Sequence, residues 1–585
     1  MQNLLQQISE AKQSGQLSAE AEQNIKLWLT ETKYAEYLPE LEQLITTQEW
    51  QKLNDSFFKV VPFGTGGRRG IVGVGSNRIN KVTIGESAQG LANYIKKASS
   101  EGSVVIAHDT RLTSREFAEY VASIFAANNI TTYLFDSFRA TPELSFAVRH
   151  LHTTAGVVIS ASHNPASDNG FKAYWTDGAQ IVPPHDAGIM QEVDQVTEIV
   201  TMDFSEALEQ KKVSIVGEEI DQAYVAAMVN ESLVSTRSAT LTYSPLHGTG
   251  TTNAQRVLEA AGFTVQIVAE QAEPDGHFPN ITNNIPNPEV LATNDLVTKY
   301  AEENQTDLGI TTDPDADRLG VVARDDNGKY QFLTGNQIAA LLGFFVLDQM
   351  HQQKKLTSKH FIAKTIVTTD MLDAMASEFK VKTYNKLLVG FKYVAELIHL
   401  KEGQEIFVFG GEESHGILKG SYARDKDAGI AALLMAELTS YLKDQGHTVP
   451  WQLNQLYRRY GIYWETLAST FYPGAEGFTK MMSIMQNLRQ NPPQKIGDYA
   501  VTSVTDRLVS DEGTKGDVLV FNLSEDKQTR ITIRPSGTEP KLKIYTQIHE
   551  PIASDVSDAA LEDLKKKAAA KAKDLEVTVT KQFLS

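Results

Sequence analysis

The sequence predicts an α/β protein of several domains that ends in a domain of α+β type. Three observations carry this expectation. From Phe63 onward, short apolar runs alternate with amphipathic helical stretches, the pattern of layered α/β units. Three of those runs lead straight into polar loops: Ala161-Ser162-His163-Asn164-Pro165, Asp313-Pro314-Asp315-Ala316-Asp317-Arg318, and Gly411-Glu412-Glu413-Ser414-His415-Gly416. After about residue 455 the texture changes to a β-leaning stretch followed by a Lys/Ala-rich helix. At 585 residues the chain is long enough for about three to five domains.

The elements follow in order. Residues 1 to about 60 read as helical, with apolar Ile25, Leu27, Trp28 and Leu29 at helical spacing. Ser18 is a candidate N-cap with Glu20 in the first turn, where the helix dipole favours an acid. Ala21 at the third position rules out a full capping box. Val104-Val105-Ile106-Ala107 reads as a strand, Arg115 to Asn128 as a helix and Val157-Val158-Ile159-Ser160 as the strand before the first polar loop. Leu308-Gly309-Ile310-Thr311 and Ile406-Phe407-Val408-Phe409 precede the other two. Ligands of open α/β sheets bind beyond the carboxyl ends of strands, so the three loops are expected to come from three α/β domains and to face one cleft. No close sequence repeat links the three. Leu542 to Ile548 reads as a strand and Ala559 to Lys573 as a helix, whose Lys565-Lys566-Lys567 run is a solvated face. The expected divisions fall near residues 215, 332 and 455.

Composition narrows the function. The hydrophobic fraction is 41% and the charged fraction 22%, an ordinary globular balance. The formal charge is −18, from 55 Lys+Arg against 73 Asp+Glu, which argues against nucleic acid and anionic membranes as partners. A small phosphorylated ligand needs only a local cationic pocket. The absence of cysteine excludes disulfides, thiolate metal sites and cysteine nucleophiles. The N-terminus shows no basic region followed by an apolar stretch. The longest apolar run, Ile338 to Leu347, falls well short of the ~20 residues of a spanning helix and reads as a buried helix. The cytoplasm is the expected location.

The chemistry concentrates in the loops. Asp313, Asp315 and Asp317 alternate after a strand, and Pro314 disfavours helix, so three carboxylates can turn toward one point. Such a cluster calls for a cation, and hard oxygen ligands favour Mg²⁺, Mn²⁺ or Ca²⁺. An EF-hand would need Gly at Arg318 and Glu at Arg324. A phosphatase of the haloacid dehalogenase type, with Asp313 as nucleophile, would usually carry Thr or Val at Asp317. Ser162 lacks the flanking glycines of a hydrolase elbow, since Ser160 and Asn164 stand there. His163 is adjacent, and in extended backbone neighbouring side chains point apart, so a Ser162–His163 dyad is not expected. Alone, the segment is equally a functional loop or an Asn-Pro turn. Arg534-Pro535-Ser536-Gly537-Thr538 offers a guanidinium, hydroxyls and Gly-freed N–H groups for a phosphate, or is an ordinary Pro-Gly turn. Phe63 to Gly70 is Gly-rich but is neither a dinucleotide fingerprint nor a P-loop. Glu412, Glu413 and Ser414 suit sugar hydroxyls, or the N-terminus of a helix.

In combination these motifs are far more specific. In order from about residue 60 onward, Ser-Ala-Ser-His-Asn-Pro, Asp-Pro-Asp-Ala-Asp-Arg, Gly-Glu-Glu-Ser-His-Gly and Arg-Pro-Ser-Gly-Thr-Glu-Pro resemble the α-D-phosphohexomutase superfamily of phosphoglucomutases and phosphomannomutases. The N-terminal helical segment resembles the larger phosphoglucomutase subgroup, which includes phosphopentomutases. The resemblance implies four domains around a central cleft. A helical extension and phosphoserine domain would span 1–215, a metal domain 216–332, a sugar-binding domain 333–455 and a phosphate-binding domain 456–585. It implies a phosphorylated Ser162, with Mg²⁺ held by Asp313, Asp315 and Asp317 and touching the serine's phosphate. Glu412 and Ser414 would bind sugar hydroxyls, with Arg318 nearby. Arg534, Ser536, Gly537 and Thr538 would grip the phosphate that stays in place. Arg69, His163, Lys172 and Lys392 would handle protons and charge. The implied activity interconverts glucose 1-phosphate and glucose 6-phosphate, with glucose 1,6-bisphosphate as activator. Phosphomannomutase, phosphopentomutase and a Mg-dependent sugar phosphatase are the alternatives. Val389, where relatives often carry Thr, and His415, where many glucose-specific relatives carry Phe, leave the sugar open. The oligomeric state is not legible.

Overall fold

A computed structural model describes residues 1–584 apart from 65, 473, 511, 512 and 537–540. The chain forms two compact units. The first holds residues 1–221 with two short segments, 275–279 and 283–286, and the second holds the remainder.

The first unit begins with the expected helices, Gln2–Gln13, Ala19–Thr30, Leu38–Thr46 and Trp50–Phe57. Ser18 caps the second of them by accepting the Ala21 N–H at 3.1 Å, as the sequence indicated. These helices close over their own core, in which Trp28 stacks on Tyr34 at 4.3 Å and meets Phe57 edge-on at 5.4 Å. A six-stranded sheet follows, in the order Gly67–Ile71, Asp168–Trp175, Ala155–Ile159, Ser103–His108, Thr131–Phe135, Val213–Val216. The last four run parallel, and the first two are antiparallel to their neighbours. Apolar side chains bury both faces, which explains near-continuous runs such as Val104 to Ala107.

The second unit contains three larger sheets. One is ordered Tyr330–Leu333, Leu319–Arg324, Leu308–Thr312, Leu241–Ser244, Val265–Ile267. The next is ordered Lys382–Leu387, His360–Thr365, Ile406–Gly411, Ile417–Lys419. The last, antiparallel throughout, is ordered Ile462–Phe471, Lys541–Glu550, Arg530–Pro535, Leu519–Asn522, Ser503–Asp506. The helix Asp558–Val579 accompanies it, with Lys566 and Lys567 exposed on its outer side. The fold is therefore three α/β layers and a C-terminal α+β domain. The apolar run Ile338 to Leu347 lies in the buried helix Gly335–Gln352, which starts at a full capping box between Thr334 and Gln337. No helix among the described residues is long and apolar enough to cross a membrane.

The three α/β sheets share one supersecondary unit that no sequence repeat announces. In each, a strand has a parallel neighbour on one side and an antiparallel neighbour on the other. Ala155–Ile159, Leu308–Thr312 and Ile406–Gly411 hold this place. In each, the polar loop named above joins that strand to its antiparallel neighbour.

Buried charge links the last two sheets. Lys364, 1% exposed, donates to Asp370 Oδ1 at 2.7 Å and to the Thr368 carbonyl at 3.0 Å, with Asp373 Oδ2 at 3.1 Å. Arg530, from the C-terminal sheet, also pairs with Asp370.

Candidate active site

Ser162 follows a strand whose five residues are all buried, and is itself 1% exposed. Its N–H donates to Ser160 Oγ at 2.8 Å. Its backbone is left-handed, with φ 52°, which is uncommon outside glycine. This turn abolishes the alternation of an extended segment, and Ser162 Oγ lies 3.2 Å from His163 Nδ1. The expectation that the two side chains point apart is therefore corrected. It assumed extended backbone, and the strand ends before Ser162.

The loop is gripped from behind by Arg111, a residue the motifs did not single out. Arg111 is 3% exposed. Its Nη2 donates to the carbonyls of Ser162 and Asn164, both at 2.6 Å, and its Nη1 to those of Pro165 at 2.6 Å and Asp168 at 2.9 Å. Asp109 balances the charge, with Oδ2 3.2 Å from Arg111 Nε, and its Oδ1 accepts the Ser114 hydroxyl at 2.6 Å. The signal was Asp109-Thr110-Arg111 at a strand end, but nothing local reveals that this arginine points at backbone.

Arg69 and Lys172 come from the antiparallel pair beside that loop, where Arg69 faces Gly170 and Gly67 faces Lys172. Arg69 donates to Asn164 Oδ1 at 3.2 Å, and Lys172 Nζ donates to Thr141 Oγ1 at 3.4 Å. Gly67 permits the close pairing: its φ is 138°, and a Cβ there would sit 1.8 Å from the Phe171 carbonyl oxygen. Arg69, Ser162, His163 and Lys172 thus all belong to the first unit, whereas Lys392 belongs to the second.

In the second unit, Asp313, Asp315 and Asp317 are buried, and their carboxylate oxygens lie within 4.8 Å of one another. Asp313 Oδ1 accepts the N–H groups of Asp317 and Arg318, both at 3.1 Å. Ala316 turns left-handed, with φ 50°, so that the loop closes on itself. The Pro314 carbonyl accepts the Thr249 N–H at 2.8 Å. Two cations attend the cluster. Lys426 Nζ lies 2.8 Å from Asp317 Oδ2, and Arg318 pairs with Glu289 and has its Nε 3.7 Å from Asp317 Oδ1. Burial opposes the Lys426 charge, but Asp317, Asp425 and Glu412 together outweigh it and hold the ammonium above the usual lysine range. The buried Asp317 Oδ1 accepts no hydrogen bond from any described residue. Three converging hard carboxylates with an oxygen still open fit a divalent cation. Lys426 and Glu289 were missed because each lies far along the chain from the loop it serves.

The Glu412 to Gly416 loop joins two strands and is not a helix N-terminus. Glu412 is 3% exposed, and its Oε1 accepts the Gly390 N–H at 2.9 Å. Burial, with Glu413 beside it, pushes the Glu412 carboxyl up to about 7 against the pull of Lys426 and Arg318. Gly390 is also the N-cap of the helix Phe391–Lys401, which carries Lys392, so Glu412 and Lys392 share one support. Lys392 Nζ lies over the Tyr393 ring at 5.1 Å. Ser414 is half-buried. Arg534 and Ser536 are half-buried at the end of the strand Arg530–Pro535, where the Ser536 N–H donates to the Lys541 carbonyl at 2.8 Å. Burial raises the Glu413 carboxyl above its ordinary value, while Lys543 and Arg534, on facing strands, favour its ionised form. Gly537 and Thr538 lie outside the described residues.

Comparison with known proteins places these loops in one family. Residues 61–200, 222–328 and 334–460 match, in that order, the models of phosphoglucomutase/phosphomannomutase alpha/beta/alpha domains I, II and III. The phosphoglucomutase of Staphylococcus aureus strain N315 is 35% identical over 517 residues, covering 86% of this chain and 92% of the relative. That of strain USA300 is 34% identical over 525 residues with the same coverage. The fold resembles the open form of parafusin, a phosphoglucomutase from Paramecium, with TM-score 0.63 and 18% identity over 88% of this chain and 98% of that one. It also resembles a phosphoglucomutase/phosphomannomutase family protein from Burkholderia thailandensis, with TM-score 0.62 and 18% identity over 87% of this chain and 97% of that one. With three domain models met in chain order and relatives about a third identical across most of both chains, the protein belongs to the phosphoglucomutase/phosphomannomutase family of isomerases.

Proposed function

We propose that the protein is a phosphoglucomutase, interconverting α-D-glucose 1-phosphate and glucose 6-phosphate through phospho-Ser162 and a sugar bisphosphate. The observation that carries this reading is the left-handed, backbone-clamped Ser162, whose Oγ meets His163 Nδ1 at 3.2 Å. The names of the curated relatives favour glucose over mannose or a pentose. In this reading the chain divides near residues 215, 332 and 455, and small sugar phosphates are its partners.

Phosphoryl transfer needs positioning and charge neutralisation more than covalent chemistry from the protein. The sugar hydroxyl attacks the phosphorus of phospho-Ser162, a new P–O bond forms, and the bond to Ser162 Oγ breaks. The hydroxyl proton passes to a base, for which Lys172 is the candidate, and His163, with Nδ1 3.2 Å from Ser162 Oγ, is the candidate to give a proton to the departing Ser162 oxygen. Asp313, Asp315 and Asp317 would hold Mg²⁺, which supplies charge neutralisation at the transferring oxygens. Arg318, Arg69 and Lys392 supply further positive charge. Glu412 and Ser414 take sugar hydroxyls, while Arg534 and Ser536, with Gly537 and Thr538, hold the phosphate that is not moving.

One serine cannot reach both ends of a sugar in a single pose, since a near-attack geometry needs about 3–3.5 Å. The sugar phosphate must first take up the phosphoryl group of Ser162 to become the bisphosphate, then turn over and return its other phosphoryl group to Ser162 Oγ. Enzyme stripped of its phosphate should therefore be inactive until catalytic glucose 1,6-bisphosphate is added, and peptide mapping should place the restored phosphate on Ser162. Steady release of inorganic phosphate, or phosphate found on Asp313, would instead establish a phosphatase. Assays with mannose, ribose and deoxyribose phosphates set the sugar.

A further inference from the structure

The first unit is built from one long stretch of chain and two short ones, 275–279 and 283–286, that lie far from it in sequence. Residues 275–279 belong to it, although the chain on either side of that region runs in the second unit. This short excursion meets Arg111, the residue behind the serine loop. A Cβ on Gly276 would lie 2.5 Å from the Leu112 nitrogen and 2.8 Å from the Arg111 Cα, so only glycine permits the approach. Phe278 is fully buried, and its ring centroid lies 5.1 Å from the Arg111 guanidinium carbon. Its backbone is left-handed, with φ 50°, a conformation a bulky residue keeps only where its surroundings impose it. Those surroundings are visible. The Phe278 N–H donates to the Asp275 carbonyl at 3.0 Å, the His277 N–H to Asp275 Oδ1 at 2.8 Å, and Asn284 Nδ2 to the carbonyls of His277 and Phe278 at 2.9 and 3.2 Å.

We infer that residues 275–279 form a latch that fixes the serine loop through Arg111, and that Arg111 and Phe278 are positioning residues for phosphoryl transfer. A guanidinium presents its donors in a rigid planar fork, and here that fork spans four carbonyls between Ser162 and Asp168. The Phe278 ring, its centroid 5.1 Å from the guanidinium carbon, lies within cation–π range and adds a contact that the carbonyls do not supply. With the guanidinium held in place, the loop carbonyls are fixed, and with them the left-handed turn that brings Ser162 Oγ to His163. Removing the ring leaves Arg111 charged and buried but held less firmly, by its carbonyls and Asp109 alone, so the loop loosens while the sheet beneath keeps its packing.

This inference rests on the reading of Ser162 as the phosphoryl carrier, and its test is separable from that reading. Hydrogen exchange, read by mass spectrometry on peptides covering 160–168 and the strand Ser103–His108, is measured alongside kinetics and Ser162 phosphate occupancy. Phe278→Leu should raise exchange in 160–168 by at least about tenfold while 103–108 stays protected. It should lower kcat roughly ten- to hundredfold with KM changed less than about twofold. Phe278→Tyr, which keeps the ring, should stay near wild type in both. Unchanged exchange in 160–168, a parallel rise in both peptides, or a KM effect without a kcat effect would overturn the latch. If Phe278→Leu does not fold, Arg111→Lys takes the same test, and loss of folding in both would make the contact part of the core and defeat the proposal. An unphosphorylated Ser162 in fully active wild type would sink the functional reading while leaving the exchange result standing.

Discussion

His415, in a loop, and Leu319, the first residue of a strand, exchange hydrogen bonds. The Leu319 N–H donates to the His415 carbonyl at 3.1 Å, and His415 Nδ1–H donates to the Leu319 carbonyl at 2.9 Å. His415 reaches this place through a left-handed backbone, φ 66°, and its ring stacks near Phe332 at 5.9 Å. Burial lowers its pKa and keeps the imidazole neutral, with one N–H to give. The exchange ties the Glu412–Ser414 loop to the strand that leaves Asp317. His415→Phe keeps the ring volume but leaves the Leu319 carbonyl with an unmet acceptor, at a cost of about 1–3 kcal/mol. Both KM for the sugar phosphate and the Mg²⁺ concentration for half-activity should rise. A change in KM alone would show that the loops act independently.

Asp315→Asn should weaken divalent-cation binding and lower kcat sharply. It also removes one of three buried like charges, so the metal-free protein should melt at an equal or higher temperature. Calorimetry with chelator and with Mg²⁺ separates the effects. A variant with full activity and unchanged Mg²⁺ dependence would place the cation elsewhere.

Arg534→Ala should act mainly on KM, because the proposed role is to hold a phosphate that stays in place. Losing one charge-assisted contact costs roughly 1.5–3 kcal/mol, or about ten- to hundredfold in binding. Steady-state kinetics with matched circular dichroism tests this. An unchanged KM would remove the C-terminal loop from the site.

Glu465 gives a pH-dependent prediction. It lies on the first strand of the C-terminal sheet, and burial, with the charge of Asp370, raises its carboxyl from the ordinary 4.5 to about 7 against Thr369, Lys364 and Arg530. An acid raised in the folded state holds its proton there while the unfolded chain releases it. Stability is therefore highest below the unfolded value and falls as pH rises toward 7, by up to about 3 kcal/mol. Glu465→Gln removes this dependence, so the variant's melting temperature should gain on wild type between pH 5 and 7. Parallel melting curves across that range would refute the assignment.

The architecture was legible because its signals are local. Ser18 names its own helix, Val104 to Ala107 shows its burial in its apolar run, and the three polar loops mark where strands end. The site was legible as loops but not as contacts. The Ser162–His163 approach was misread because periodicity assumes extended backbone, and one left-handed residue cancels it. Arg111, Glu289 and Lys426 went unnoticed because their partners are backbone carbonyls or side chains distant in sequence. The common supersecondary unit of the three sheets was invisible because it is a property of strand pairing, which composition does not record.

One helix completes a layer of the fold that is synthesised long before it. Ala428–Lys443 follows the sheet that contains Ile406–Gly411, yet it packs on Ala254–Ala260, beside the preceding sheet. Its N-cap Asp427 is fully buried and accepts from Tyr224 at 2.5 Å, Tyr422 at 2.7 Å and Asn253 at 3.1 Å. Farther along, Glu437 accepts the Leu233 N–H at 2.9 Å. The layer around Leu241–Ser244 therefore lacks one wall until the ribosome has delivered some two hundred further residues. A nascent chain halted after Leu333 would display the apolar side of Ala254–Ala260 to solvent, where chaperones or other chains can seize it. A pause in translation between these points prolongs that exposure, and delivery of Ala428–Lys443 ends it.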